Sequence, residues 1–233
     1  MPDAAAPSLR RLLAEAGALI DWPRGLAGAE AIGRCRRAAD PRPVLVIPGF
    51  MANDTLTRPL RDALAAAGHR PHGAEVGRIT GPTPALVAAL EARTAAIADA
   101  ARRPVALVGW SLGGLFAREL ARRMPDRIER VVTLGSPFSG FPPATNVNWL
   151  YERVNDTRVA TLPAGIAPPG EKPPVFTVAL WSRRDGIVPP ASSRGLPHEA
   201  DVAREVDCRH TSFVMAPQAL AAVLEALALE RRG

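Results

Sequence analysis

Short apolar runs that alternate with stretches of helical period constrain this chain more than any other feature of its 233 residues. Val44 to Ile47 (VLVI) stands between Pro43 and Pro48, and Val105 to Val108 (VALV) runs straight into Gly109. Neither run alternates with polar residues, the pattern of strands buried on both faces. Ile128 to Leu134, Val175 to Trp181 and Ala200 to Val206 read as three further strands, and His72 to Val76 as a weaker one. The helical patterns fall between them. One opens near Asn53 or Asp54, carries Leu56, Leu60 and Leu64 on one face and stops at Gly68. The others run from Thr83 to Arg103, from Leu112 to Arg123 and from Pro217 to Leu229. Strands and helices in succession need crossover connections. The expected fold class is therefore α/β: a mostly parallel central sheet of about six strands with helices on both faces.

Sheets of this kind bind ligands outside the carboxyl ends of their strands. The residues placed there are Pro48-Gly49-Phe50, Gly109-Trp110-Ser111-Leu112-Gly113, Gly135-Ser136-Pro137, Ser182-Arg183-Arg184-Asp185 and Asp207-Cys208-Arg209-His210. A serine, an acid and a histidine thus converge on one edge. Gly109 to Gly113 has the G-x-S-x-G pattern, a tight strand-to-helix turn that strains the serine and exposes its hydroxyl. The flanking glycines are needed because a side chain at either place would strike the neighbouring helix or strand. A serine at this position could instead merely cap the helix that follows. The acid and the histidine that come later in the chain favour a nucleophile.

In these features the chain resembles an α/β-hydrolase of the compact lipase and esterase kind. The resemblance rests on VLVIPGF (Val44 to Phe50), GWSLGG (Gly109 to Gly114), TLGSPFSG (Thr133 to Gly140), SRRDGIVP (Ser182 to Pro189) and His210, and covers the chain from about Pro43 to its end. There are two departures. Pro48 stands where the family often has histidine, and the two N-terminal strands of larger members are not evident in Met1 to Arg42.

The resemblance implies a triad of Ser111, Asp185 and His210. Asp185 follows a strongly apolar run and precedes Gly186-Ile187-Val188-Pro189, as in similar hydrolases. The alternatives are that Asp185 is a surface residue paired with Arg183 or Arg184, and that Asp207 is the acid. Asp207 lies too close in sequence to His210 to approach the ring from the usual side. Of the four histidines, His69 and His72 read as surface residues and His198 as structural. In the implied chemistry His210 takes the proton of Ser111 as its hydroxyl attacks a carbonyl carbon, and Asp185 holds the imidazole in the useful tautomer. By resemblance to lipases, the backbone N–H groups of Phe50 and Leu112 form the oxyanion hole.

Substrate choice is carried by a proline-rich insertion, residues 138–174, which occupies the place of the family's cap or lid. Its Phe138, Phe141, Trp149 and Tyr151, with Trp110 beside the serine, are the candidate substrate contacts, although these rings could equally serve packing. An apolar cap without a charged clamp favours a small-molecule ester or other uncharged acyl substrate. The expected activity is carboxylic ester hydrolysis through an acyl-enzyme, with no cofactor and no metal. Acyl transfer, thioester or amide cleavage, and a non-catalytic binding role of the same fold are the alternatives.

The net charge of +6 invites a nucleic-acid reading. However, Lys172 is the only lysine, and the arginines are spread in pairs such as Arg36-Arg37 and Arg122-Arg123 with no binding module beside them. No nucleic-acid partner is expected. Cys35 and Cys208 match no metal-ligand or redox spacing and read as free thiols of a cytoplasmic protein. No apolar stretch is long enough to span a membrane. The length and apolar content fit one domain, residues 1–233, in which residues 1–42 form a helical extension of unassigned role.

Overall fold

The computed structural model describes residues 7–140 and 170–230. Six strands form one sheet: β1 (Pro43–Ile47), β2 (Arg70–Gly73), β3 (Val105–Trp110), β4 (Ile128–Leu134), β5 (Phe176–Trp181) and β6 (Val202–Glu205). Their order is β2-β1-β3-β4-β5-β6, and every neighbouring pair is parallel. The helices are α1 (Leu9–Ala14), α2 (Ala18–Cys35), α3 (Arg58–Ala66), α4 (Pro84–Ala101), α5 (Leu112–Arg123), α6 (Pro190–Arg194) and α7 (Pro217–Ala228).

The continuous apolar runs are explained by the two faces of the sheet, since successive side chains of a strand point to opposite sides. Val44, Val46, Ala106, Val108 and Val132 share one core with Leu60 and Leu64 of α3 and Leu220 and Val223 of α7. Leu45, Ile47, Leu107 and Val131 share the other with Leu90 and Ile97 of α4 and Phe116 and Leu120 of α5. Each such fully buried side chain contributes roughly 1.5–3 kcal/mol. Trp22 and Ile32 of α2 pack against the first core. The approach of α2 is close, because a Cβ at Gly33 would lie 2.2 Å from the carbonyl oxygen of Ala63. Strand order reverses direction between β1 and β3, which opens a crevice outside their carboxyl ends.

Three local expectations are corrected. The helix expected from Asn53 or Asp54 begins at Arg58, and Leu56 is exposed. The Asp54 carboxylate is engaged elsewhere, accepting the amides of Ala74 and Glu75 at 2.9 Å each. That same grip explains why β2 ends at Gly73 and does not run on to Val76, since Glu75 is pulled to a φ of 57°. His69, read as a surface residue, is buried. Its Nδ1 accepts the Arg42 amide at 3.4 Å. Among the described residues both cysteines are free, Cys35 exposed and Cys208 buried, and no helix is long and apolar enough to cross a membrane.

Candidate active site

The crevice is bordered by the turn after β3. Ser111 has φ 55° and ψ −120°, a conformation that few L residues adopt, and occupies the N-cap position of α5 without making a side-chain cap bond. The capping alternative therefore does not describe it. The turn is held on both sides: the Ser111 amide donates to the carbonyl of Leu134 at 2.8 Å, and the Ser111 carbonyl accepts the Gly114 amide at 3.0 Å. The steric need for glycine is explicit. A Cβ at Gly109 would lie 2.4 Å from the Gly113 oxygen, and one at Gly113 would lie 2.2 Å from the Ile47 oxygen. Helix α5 can thus begin directly against β1 and β3 with Ser111 partly exposed at its head.

The loop after β1 reaches the same place. A Cβ at Gly49 would lie 3.1 Å from the Ser111 Cβ, so Phe50, which is half-buried, follows a residue in contact with the serine. The loop is pinned by the Met51 amide, which donates to Ile79 at 2.7 Å, and by the Ala52 amide, which donates to Gly49 at 3.1 Å. Leu112 is the first residue of α5, whose leading N–H groups have no partner within the helix and lie at the positive end of its dipole.

Asp185 and His210 come together from the ends of β5 and β6. The Nδ1 of His210 and Oδ2 of Asp185 are 2.7 Å apart, with Asp185 fully buried and His210 only 3% exposed. The other Asp185 oxygen accepts the amides of Ile187 at 2.8 Å and Val188 at 2.7 Å, which fixes the carboxylate in place. Burial lowers the affinity of His210 for a proton, but the charge and hydrogen bond of Asp185 and the charge of Glu15 outweigh it, so its pKa is raised above the ordinary 6.5. Asp207 is exposed and faces Arg184, while Arg183 faces Glu205. Neither the surface reading of Asp185 nor Asp207 as the acid fits this arrangement. His198 is exposed.

Two links bind the elements to one another. The indole of Trp110 donates to the carbonyl of His210 at 3.0 Å, with its ring centroid 6.0 Å from the imidazole. Ser182 Oγ donates to the Cys208 carbonyl at 2.6 Å and accepts the Arg184 amide at 3.0 Å. Trp110 lies in the core and backs the histidine. Phe138 is 1% exposed, packed with Ala179 and Ala200 beneath the guanidinium of Arg118, 4.2 Å from its ring centroid. Both rings are thus engaged in packing. Phe141, Trp149 and Tyr151, with most of the insertion, lie outside the described residues.

Gly135, placed by the sequence at this edge without a role, and Glu15, not placed there at all, both contribute to the site. Gly135, at φ 55°, leaves room for the acid and base, since a Cβ there would lie 2.9 Å from Asp185 Oδ2 and 3.1 Å from His210 Nδ1. Its place just after β4 was the available signal. Glu15 accepts the amides of Gly186 and His210 from 171 and 195 positions away, for which no local signal exists.

A six-stranded parallel sheet of this order, with a strained serine turn at its reversal and an acid–histidine pair after β5 and β6, is the α/β-hydrolase fold. The family model described as the alpha/beta hydrolase fold matches residues 100–165. One curated relative, the pimeloyl-[acyl-carrier protein] methyl ester esterase of Aromatoleum aromaticum, is 43% identical over 56 residues, a match that spans 24% of this chain and 22% of that protein. Among solved structures, the mature lipase BlEst2 of Bacillus licheniformis is similar with a TM-score of 0.61 at 18% identity, over 83% of this chain and 94% of that one. The α/β hydrolase MGS-MChE2, from a sediment metagenome of the Mar Chica lagoon in Morocco, has a TM-score of 0.55 at 23% identity, over 81% and 90%.

Proposed function

We propose that this chain is a serine hydrolase that cleaves carboxylic esters through an acyl-enzyme. The observation that carries the reading is the buried 2.7 Å contact between His210 and Asp185, on the same edge of the sheet as the strained Ser111 turn and tied to it by the bond from Trp110 to the His210 carbonyl. Asp185 orients the imidazole by accepting Nδ1–H, which leaves Nε2 to take the Ser111 proton as the hydroxyl attacks the carbonyl carbon. The imidazolium formed at that moment lies against the Asp185 carboxylate. The same proton then goes to the leaving alcohol, and water repeats the sequence to release the acid. The amides of Phe50 and Leu112 receive the developing oxyanion, and losing one such donor costs roughly 3 kcal/mol of transition-state stabilisation. Selection of the acyl group is assigned in this reading to the proline-rich insertion, residues 138–174. Ester chemistry is favoured by the partial match to a methyl ester esterase.

A fluorophosphonate probe and a panel of esters of increasing acyl length test this reading together, with Ser111→Ala as the blank. Labelling and hydrolysis in the wild type that both vanish in the variant are expected. A folded wild type that neither labels nor turns over any ester would overturn it.

A further inference from the structure

Residues 1–42 precede the sheet, yet one of their side chains ends behind the acid and base. Glu15 begins a 3₁₀ turn, Glu15–Gly17, between α1 and α2 and is 8% exposed. Its Oε1 accepts the amides of Gly186 at 2.8 Å and His210 at 3.0 Å. Its Oε2 accepts the amide of Thr211 at 3.0 Å and the hydroxyl of Thr211 at 2.7 Å. One carboxylate therefore takes four donors from two loops, the residue after Asp185 on one side and His210 itself on the other.

A charge withdrawn from water persists only where its lone pairs are filled, and this one is filled completely. Close backbone approach makes it possible. A Cβ at Gly186 would lie 2.3 Å from the carbonyl oxygen of Arg11 and 2.6 Å from its carbonyl carbon. A surface helix that merely leaned on the sheet would not need that glycine.

We propose that Glu15 is a positioning residue of the active site: it locks the acid loop and the histidine loop in one register and sets a second negative charge behind the imidazole. The inference rests on the assignment of Ser111, Asp185 and His210 made above. When His210 accepts the serine proton, Asp185 meets the new cation at Nδ1, and the charge of Glu15, held on the His210 main-chain amide, adds to it. The other groups around the ring leave this balance unchanged. Trp110 and Phe213 present neutral rings, the buried Cys208 thiol is held protonated, and Asp207 and Arg184 face each other at the surface. Arg209, the one cation of that loop, points to Gly17.

The variants follow from donor counting. Glu15→Gln removes the charge and leaves one acceptor oxygen, so its NH2 group confronts two of the four donors. Glu15→Asp keeps the charge but is shorter by one methylene. The measurements are kcat and KM against pH on the best ester of the panel, the fluorophosphonate labelling rate, and circular dichroism as the check on folding. In Glu15→Gln the acidic limb of kcat/KM is expected to move about half a pH unit or more toward acid and kcat to fall roughly tenfold with KM little changed, one pKa unit being a factor of ten. Glu15→Asp should keep the limb near the wild-type position with a lower kcat. Thr211→Val, which removes only the hydroxyl bound to Oε2, stands in if Glu15→Gln does not fold, and should change kcat in the same direction by a smaller factor. A wild type that labels, beside a variant whose limb and kcat are unchanged, overturns the role of Glu15 even if its melting temperature drops. A wild type that does not label overturns the triad reading itself, so the two failures are distinguishable.

Discussion

The indole N–H of Trp110 donates to the main-chain carbonyl of His210 across 3.0 Å, tying the residue before the strained serine to the loop that carries the base. Without that bond the His210 carbonyl retains a longer one, 3.4 Å, from the Phe213 amide. Trp110→Phe keeps an aromatic ring in the core but removes the donor. It should destabilise the fold by about 1 kcal/mol, the net worth of such a bond, and lower kcat by loosening the imidazole. Urea unfolding and ester kinetics check this, and a variant equal to wild type in both would show that the bond contributes nothing.

Two glycines separate stability from activity. Gly135→Ala places a methyl against Asp185 Oδ2 and His210 Nδ1, at a φ of 55° that costs alanine about 1 kcal/mol in itself. The acid–base pair must move, and a displacement of this kind is expected to cost on the order of 100-fold in kcat while the protein stays folded. Gly113→Ala drives a methyl into main-chain oxygens of Ile47 and Pro48, at 2.2 and 2.5 Å. Those atoms belong to β1 and its loop and cannot yield, so it should lose about 3 kcal/mol or more of stability. The prediction fails if Gly135→Ala turns over ester at the wild-type rate.

Acid sensitivity should be set chiefly by His69, with His72, also lowered by burial, acting in the same direction. Burial, assisted by the charge of Arg42 and opposed by that of Asp40, lowers the pKa of His69 to about 4. The unfolded chain takes up a proton there as pH falls through 6.5 while the native state does not, so stability declines between pH 6.5 and about 4. His210 has the opposite sign: its raised pKa contributes stability that is fully present below 6.5 and is lost as pH rises through the folded-state value, so it is constant over that interval. Asp40, lowered to about 2 chiefly by its hydrogen bond to Arg103, gives way only below its ordinary 3.8. Melting temperatures from pH 7 to 4 should fall, and His69→Gln should flatten the slope. Parallel curves for the two proteins would remove His69 from the account.

What the chain determined by itself was local. The apolar runs around Val44, Val105 and Ile128 specified strands buried on both faces, because period and burial are written in neighbouring residues. The turn around Ser111 was legible for the same reason, since Gly109 and Gly113 lie within two positions of it and their sterics act there. Tertiary structure decided every pairing that spans the sheet. It is the order β2-β1-β3-β4-β5-β6 that brings His210 to Asp185 and leaves Asp207 facing solvent. The same assembly drew Asp54 away from the helix it seemed to cap, buried His69 and carried Glu15 to the back of His210. A buried carboxylate takes its donors from whatever backbone the fold leaves unpaired beside it, and no spacing in the sequence records where that backbone lies.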